Sequence, residues 1–91
     1  MQLDKGNITQ ALAQLDGWEH EGDSLVKTFR FADFRDAFAF MTRVAFIAEE
    51  LNHHPRFDNT YNTVTLTLST HDAGNTVTEK DLNLAARIQE L

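Results

Sequence analysis

The sequence lacks several residue types and segments that would mark particular classes of protein. It has no cysteine, which excludes disulfides, thiolate metal sites and cysteine nucleophiles. It has only one proline and four glycines, and no segment has the composition of a linker or a low-complexity tract. No apolar run approaches the ~20 residues that a membrane-spanning helix needs. The N-terminus is polar and lacks the apolar region of a signal peptide. We therefore expect a cytoplasmic protein without a membrane partner.

Basic residues are also scarce. Eight Lys and Arg residues face fourteen Asp and Glu residues, for a formal net charge of −6. Nucleic-acid backbones attract basic surfaces, so we do not expect a nucleic-acid partner. A chain of 91 residues is expected to form a single domain over residues 1–91. A domain of this size has a small core, and self-association would stabilise it.

Helical periodicity and capping residues predict a helix near each end of the chain. The first is predicted over residues 8–15, where Asn7 and Gln10 form a capping box. The last begins at Thr78, with Asp81 at the third position as the partner in a second capping box.

A longer central helix is predicted to begin after Asp33 and to end near residue 51, since Pro55 cannot continue a helix. Its apolar residues cover about half of the helix circumference, which is wider than one sheet face usually covers. This width indicates that part of the helix meets another subunit, although a well-buried helix in one small core would show the same pattern. The apolar positions are Phe34, Ala37, Phe38, Phe40, Met41, Val44, Ala45, Ile47, Ala48 and Leu51.

Four strands are predicted, over residues 18–20, 25–31, 56–61 and 63–69. The last shows strict alternation of apolar and hydroxyl side chains, which is typical of a half-buried strand. Turn-like residues separate the members of each pair, at positions 21–24 and at Asn62. The resulting order, α-β-β-α-β-β-α, predicts an α+β fold with a four-stranded antiparallel sheet and three helices packed on one face.

Three of the four histidines lie at two corners of this arrangement. His53 and His54 follow the long helix, and His71 follows the alternating strand. If the last two strands form a hairpin that turns near Asn62, His71 returns to the neighbourhood of Pro55. Clustered imidazoles suit acid–base catalysis, because both protonation forms are available near neutral pH. They would also suit a metal site, although adjacent histidines rarely aim at one ion, or they could simply cap the ends of secondary structure.

Other residues near these corners have two possible roles each. Asp81 is a helix-capping residue that could also orient a histidine. Glu49 lies one turn before His53 and could bond an imidazole, or it could be solvated. Phe57 and Tyr61 share one strand face by parity and could form an apolar wall for a flat ligand, or pack in the core.

The spacing of these residues resembles the signature of the pterin-4a-carbinolamine dehydratases. The similar pattern runs from Glu49-x-x-x-His53-His54-Pro55 through Tyr61 and His71 to Asp81. Two further blocks, at residues 33–45 and 67–71, are also similar to that family. The resemblance extends from about residue 17 to near the C-terminus.

This resemblance implies an enzyme that dehydrates a 4a-hydroxytetrahydropterin to the quinonoid dihydropterin, with no metal and no redox cofactor because no electrons move. It implies homodimers formed by joining sheets and homotetramers formed by packing helices. Some animal members also bind a transcription factor, so a dimerising protein-binding module is the alternative function.

The resemblance also assigns roles to individual residues. His53 and His71 would act as acid–base groups, His54 would hold the pterin and assist, and Asp81 would support His71. Phe57 stands where many members have Trp and keeps a flat apolar surface. The expected catalytic residues are His53, His54 and His71; the expected substrate-binding residues are Asn52, His53, His54, Ser69, Thr70, His71 and Asp72; the expected supporting residues are Glu49, Asp81 and Phe57.

Overall fold

The computed structural model describes residues 4–91 and contains three helices and four strands in the predicted order. The fold class, α+β with an antiparallel sheet, is thereby confirmed. The elements are α1 (Lys5–Leu12), β1 (Glu19–Glu21), β2 (Ser24–Arg30), α2 (Phe34–Leu51), β3 (Arg56–Thr60), β4 (Thr63–Leu68), a 3₁₀ turn (His71–Ala73) and α3 (Glu79–Gln89). None of the helices within residues 4–91 is long and apolar enough to cross a membrane.

The four strands form one antiparallel sheet in the order β1-β2-β4-β3. Along β4, buried Val64, Leu66 and Leu68 alternate with half-buried threonines, as the sequence pattern predicted. Leu68 lies opposite the fully buried Leu25 of β2. One face of the sheet is therefore apolar, and the opposite face carries hydroxyl and charged side chains.

The apolar sheet face packs against all three helices in one core. Ile8 of α1, Val44 of α2 and Leu84 of α3 belong to the same buried cluster as the β4 side chains. Trp18, which precedes β1, is also buried there and meets Phe29 of β2 edge to face, with ring centroids 6.1 Å apart. The end of α2 and the start of α3 meet beside the end of β4, where Asp81 bonds both His53 and Thr70.

The predicted boundaries of the first helix are wrong. The helix covers Lys5–Leu12, and its N-cap is Asp4, whose Oδ1 accepts the Asn7 backbone N–H at 2.8 Å. A carboxylate at the N-cap bonds free backbone N–H groups and favourably meets the helix dipole, so the helix begins earlier than Asn7. The chain then continues through single turns to the buried Leu15.

The strand boundaries differ from the predicted ones by a residue or two, and one difference affects the candidate site. Tyr61 has a left-handed backbone conformation (φ 49°) and lies in the β3–β4 turn rather than in β3. The parity argument that placed Tyr61 on one strand face with Phe57 is therefore wrong. The left-handed conformation of Tyr61 cannot continue an extended strand, and Tyr61 and Asn62 form a two-residue turn between the paired Thr60 and Thr63, so the strand stops at Thr60.

Helix α2 begins after Asp33 and ends at Leu51, as predicted. Its apolar stripe is only partly covered. Ala37 and Val44 are buried, whereas Phe38 is 55% exposed, and Phe46, which the predicted stripe left out, is 72% exposed. Phe34, also exposed, meets Phe38 with ring centroids 5.7 Å apart. The core of one chain thus leaves these aromatic side chains of α2 largely exposed.

Candidate active site

The end of α2 fixes the positions of two histidines. Asn52 adopts the left-handed conformation (φ 53°, ψ 44°) that commonly ends a helix, and asparagine tolerates it better than most residues. The His53 backbone N–H then bonds back to the Ala48 carbonyl at 2.9 Å. Pro55 follows and directs the chain into β3. This tight helix end turns His53 towards the body of the domain and leaves His54 at the surface.

The start of α3 supplies a buried carboxylate. Thr78 caps the helix, and Asp81 completes the predicted capping box through a 2.9 Å bond from the Thr78 backbone N–H to Oδ2. The same Oδ2 accepts the Thr70 hydroxyl at 2.8 Å. Since the Thr70 hydrogen is used there, the Thr78 hydroxyl donates to Thr70 Oγ1 at 2.6 Å. All three side chains are buried, so the start of α3 is joined to the end of β4 by a satisfied polar network.

His53 completes this network. Its Nε2 lies 2.5 Å from Asp81 Oδ1, and the two side chains are 11% and 0% exposed. A carboxylate can only accept, so Nε2 carries the hydrogen. The other ring nitrogen, Nδ1, has no hydrogen-bond partner within residues 4–91 and is not closed off from solvent. Asp81 therefore fixes the orientation of this imidazole and leaves Nδ1 available to a bound molecule.

His54 has a different environment. Its Nε2 donates to Glu49 Oε1 at 2.8 Å, and these side chains are 59% and 80% exposed. An ion pair this exposed contributes little to stability. Glu49 was expected to be able to bond an imidazole, and the imidazole that donates to it is that of His54, not of the neighbouring His53.

His71 begins the 3₁₀ turn after β4. Its Nδ1 donates to Asn75 Oδ1 at 3.3 Å. The loop around it is held by the Thr70 and Thr76 backbones, paired at 2.8 Å, and by the Asn75 N–H, which bonds the Thr70 carbonyl at 2.9 Å. The turn therefore holds an exposed imidazole on a backbone that is itself well bonded.

A cleft of about 280 Å³ lies between these three histidines. The hairpin of β3 and β4 brings His71 beside His53 and His54, as the sequence argument predicted. No group of three or more His, Asp or Glu side chains in residues 4–91 is placed to hold a metal ion. The residues that line the cleft are Asn52, His53, His54, Ser69, Thr70, His71, Asp72 and Lys80.

Every residue expected to bind the substrate lines this cleft, but two of the supporting roles are different. Asp81 was expected to support His71, whereas its buried carboxylate bonds His53. Phe57 does not line the cleft; it belongs to β3, opposite Leu66. Sequence reasoning missed Lys80, which no motif marks, although its position between Thr78 and Asp81 could have suggested it.

The arrangement suits proton transfer. Each of the three histidines uses one ring nitrogen in a protein hydrogen bond, and within residues 4–91 the other has no partner. Such bonds fix the tautomer and the direction of each ring, and they leave one nitrogen to give or take a proton. The hydroxyls of Ser69 and Thr70 and the charged groups of Asp72 and Lys80 surround the same space.

The whole chain, residues 1–91, matches the family model described as pterin 4 alpha carbinolamine dehydratase. A protein of Opitutus terrae, provisionally named pterin-4-alpha-carbinolamine dehydratase, is 52% identical over 89 residues, which cover 98% of this chain and 92% of that protein. A protein of Thermomicrobium roseum with the same provisional name is 48% identical, with 98% and 95% covered.

Two solved structures are also similar. The crystal structure of a transcriptional coactivator/pterin dehydratase from Brucella melitensis superposes with a TM-score of 0.93 at 39% identity, covering 99% of this chain and 97% of that one. A pterin dehydratase-like protein described as a RuBisCO assembly factor in the alpha-carboxysome has a TM-score of 0.69 at 26% identity, with 81% and 87% covered. The chain belongs to the pterin 4 alpha carbinolamine dehydratase family.

Proposed function

We propose that the protein removes water from a 4a-hydroxytetrahydropterin, the compound that aromatic amino-acid hydroxylases release. The protein would thereby take part in tetrahydropterin recycling. The observation that carries this proposal is the cleft between three histidines, one of which is fixed by a buried carboxylate. Family membership supports the same chemistry. A lyase of this kind transfers protons and no electrons, so the protein's own side chains suffice.

The reaction needs two proton transfers. A proton leaves N5 of the pterin, the C4a–O bond breaks, and a second proton joins the departing hydroxyl to give water and the quinonoid dihydropterin. In our proposal His53 and His71 are the two acid–base groups. Asp81 holds His53 through Nε2, so that Nδ1 is the nitrogen that exchanges a proton with the substrate.

The remaining lining residues would bind and orient the ring. His54 donates to Glu49 and would hold the pterin and assist the transfers. Hydrogen-bonding groups for the heteroatoms of the ring come from Asn52, Ser69 and Asp72, whereas Thr70, whose hydroxyl bonds Asp81 and Thr78, would contact the ring without bonding it. Positioned acid–base groups typically contribute about 10²–10⁴-fold in rate. Because several histidines share the work, we expect a change of any single one to leave partial activity.

We also propose that the protein is a homodimer or homotetramer. Phe34, Phe38 and Phe46 of α2 are exposed in the single chain, and burying large apolar side chains of this kind against a second copy would stabilise a small domain. The measurement is the mass in solution by light scattering. Replacement of Phe38 by Asp should lower that mass if the helices pack together.

The same exposed aromatic residues favour a second candidate function, that of a dimerising protein-binding module. One structural relative is described as a transcriptional coactivator as well as a pterin dehydratase, and another as an assembly factor. In that case the cleft would be retained without turnover, and the α2 residues would carry the function.

The deciding experiment is stopped-flow dehydration of freshly generated 4a-hydroxytetrahydropterin, with the wild-type protein and the His54→Ala variant compared. We expect clear acceleration by the wild type and a smaller acceleration by the variant. Arg30→Gln, at the far end of the sheet, is the control and should match the wild type. If dehydration in the presence of the wild-type protein is no faster than in buffer alone, the enzymatic proposal fails and the binding module becomes the better proposal.

A further inference from the structure

A second hollow adjoins the cleft between the three histidines. Its volume is about 460 Å³, and it shares His54, Ser69 and His71 with the cleft. A molecule that fills the cleft can therefore extend past these three residues into the second space. The other residues that line it are Ser24, Pro55, Arg56, Thr67 and Asn75.

Strand register shows where this hollow lies. Arg56 is the first residue of β3 and lies opposite Thr67 of β4, which in turn lies opposite Val26 of β2. Ser24 has the same parity as Val26 along β2. These residues belong to the polar face of the sheet. The hollow is thus formed where the polar face meets the cleft, on the side of the sheet opposite the helices' apolar core.

The side chains that line the second hollow have the chemistry of an anion site. They include the guanidinium of Arg56, with the hydroxyls of Ser24, Thr67 and Ser69 and the Asn75 amide as further donors. No Asp or Glu among residues 4–91 lines it, although the chain as a whole carries a net charge of −6. Guanidinium and hydroxyl groups together are the usual recognition set for phosphate.

Asp58 pairs with the Arg56 guanidinium but leaves most of the N–H donors of that guanidinium free. Arg56 Nε lies 3.2 Å from Asp58 Oδ2, two residues along the same strand, and the two side chains are 75% and 52% exposed. Exposed pairs of this kind are weak and easily exchanged. A guanidinium has five N–H donors, and this contact uses one of its three nitrogens.

We propose that this hollow binds an anionic substituent on C6 of the pterin, a phosphate ester by class, and that Arg56 is the residue that sets this preference. The inference rests on the proposed function, which places the bicyclic ring in the adjoining cleft. With the ring in the cleft, a substituent that crosses the shared boundary at His54, Ser69 and His71 reaches Arg56. A neutral polyhydroxylated substituent would fit the same space without the charge contribution.

The test is equilibrium binding by isothermal titration calorimetry, which needs no turnover. The probes are a matched pair: 7,8-dihydropterin carrying a C6 trihydroxypropyl chain, and the terminal phosphate ester of that same compound. At low ionic strength we expect the wild type to bind the ester about 5-fold more tightly than the triol, with a smaller ratio at high salt. In Arg56→Gln the ratio should fall to about 1, and in Arg56→Lys it should be intermediate.

Arg30→Gln is the matched control, because Arg30 lies on the same face of the sheet at its far end, opposite Thr63. It should keep the 5-fold ratio. Equal affinities for triol and ester in the wild type, a ratio that survives in Arg56→Gln, or no binding of either probe would overturn the proposal. So would inorganic phosphate alone binding as tightly as the ester, since the hollow would then be a site for free phosphate. Failure of the dehydration assay is a separate result, because these probes cannot be dehydrated.

Discussion

The adjacent residues His53 and His54 each pair with a carboxylate, and the two histidine–carboxylate pairs have very different surroundings. His53 bonds Asp81 across the junction of α2 and α3, and both side chains are buried or nearly so. His54 bonds Glu49 within the last turn of one helix, and both side chains are largely exposed. The two pairs have similar lengths, 2.5 Å and 2.8 Å, so distance alone would rate them alike.

Burial and connectivity separate them. Asp81 also accepts bonds from the Thr70 hydroxyl and the Thr78 backbone, so its carboxylate joins the ends of three elements. Within residues 4–91, Glu49 has no side-chain bond other than the one to His54. In the interior, a polar group that loses its partner is costly, whereas water replaces a lost partner at the surface. We infer that the buried pair holds the fold and the site together and that the exposed pair only adjusts one ring.

The largest effect is expected from Asp81→Ala. This change leaves His53 Nε2, the Thr70 hydroxyl and the Thr78 N–H without their acceptor at a mostly buried position. We expect the free energy of unfolding to fall by about 3 kcal/mol, within the range seen when one member of a buried pair is removed. Urea denaturation followed by circular dichroism measures it.

Two variants sharpen this result. Asp81→Asn keeps the volume and one carbonyl acceptor, and it should lose clearly less stability than the alanine variant. Glu49→Ala, the same kind of truncation in the exposed pair, should change stability by no more than about 0.5 kcal/mol. Equal losses for Asp81→Ala and Glu49→Ala would show that burial does not distinguish the two pairs.

The next effect concerns turnover. We expect His53→Ala to lower the dehydration rate constant about 10²-fold and His54→Ala to lower it less, because the Asp81 bond fixes only the first ring. Stopped-flow assays at saturating substrate measure both. If His53→Ala and His71→Ala each leave turnover unaltered, the catalytic assignment is wrong.

The sequence predicted more of the fold than of these pairings. The Thr–Ser alternation around Val64, Leu66 and Leu68 and the capping box of Thr78 and Asp81 are local patterns, and both are present as predicted. The partner of Asp81 could not be read in this way, because it depends on how the left-handed Asn52 turns the chain after α2. The start of α1 was misplaced because two residues, Asp4 and Asn7, are both good caps and the sequence does not rank them.

A smaller effect is expected from changing the hydrogen bonds that Thr70 makes to Asp81 and Thr78. Thr70→Val keeps the shape of the side chain and removes the hydroxyl that donates to Asp81 Oδ2 and accepts from Thr78. We expect stability to fall by about 1–2 kcal/mol, because the Thr78 hydroxyl loses its acceptor in a buried place. Thermal unfolding measures the change. Thr65→Val is the matched control: Thr65 bonds the exposed Thr28 hydroxyl at 2.9 Å, and its loss should change stability by less than about 0.5 kcal/mol.

The smallest effect is expected from Glu49→Gln, which removes the charge of the exposed pair and retains an acceptor for His54 Nε2. Stability should stay within about 0.5 kcal/mol of the wild type. If His54 mainly holds the substrate, the looser ring should raise KM by a small factor, about 2-fold, and leave kcat unchanged. Steady-state assays over a range of substrate concentrations separate the two constants. A fall in kcat as large as that of His53→Ala would contradict the comparison, because the exposed carboxylate would then fix a catalytic ring just as the buried one does.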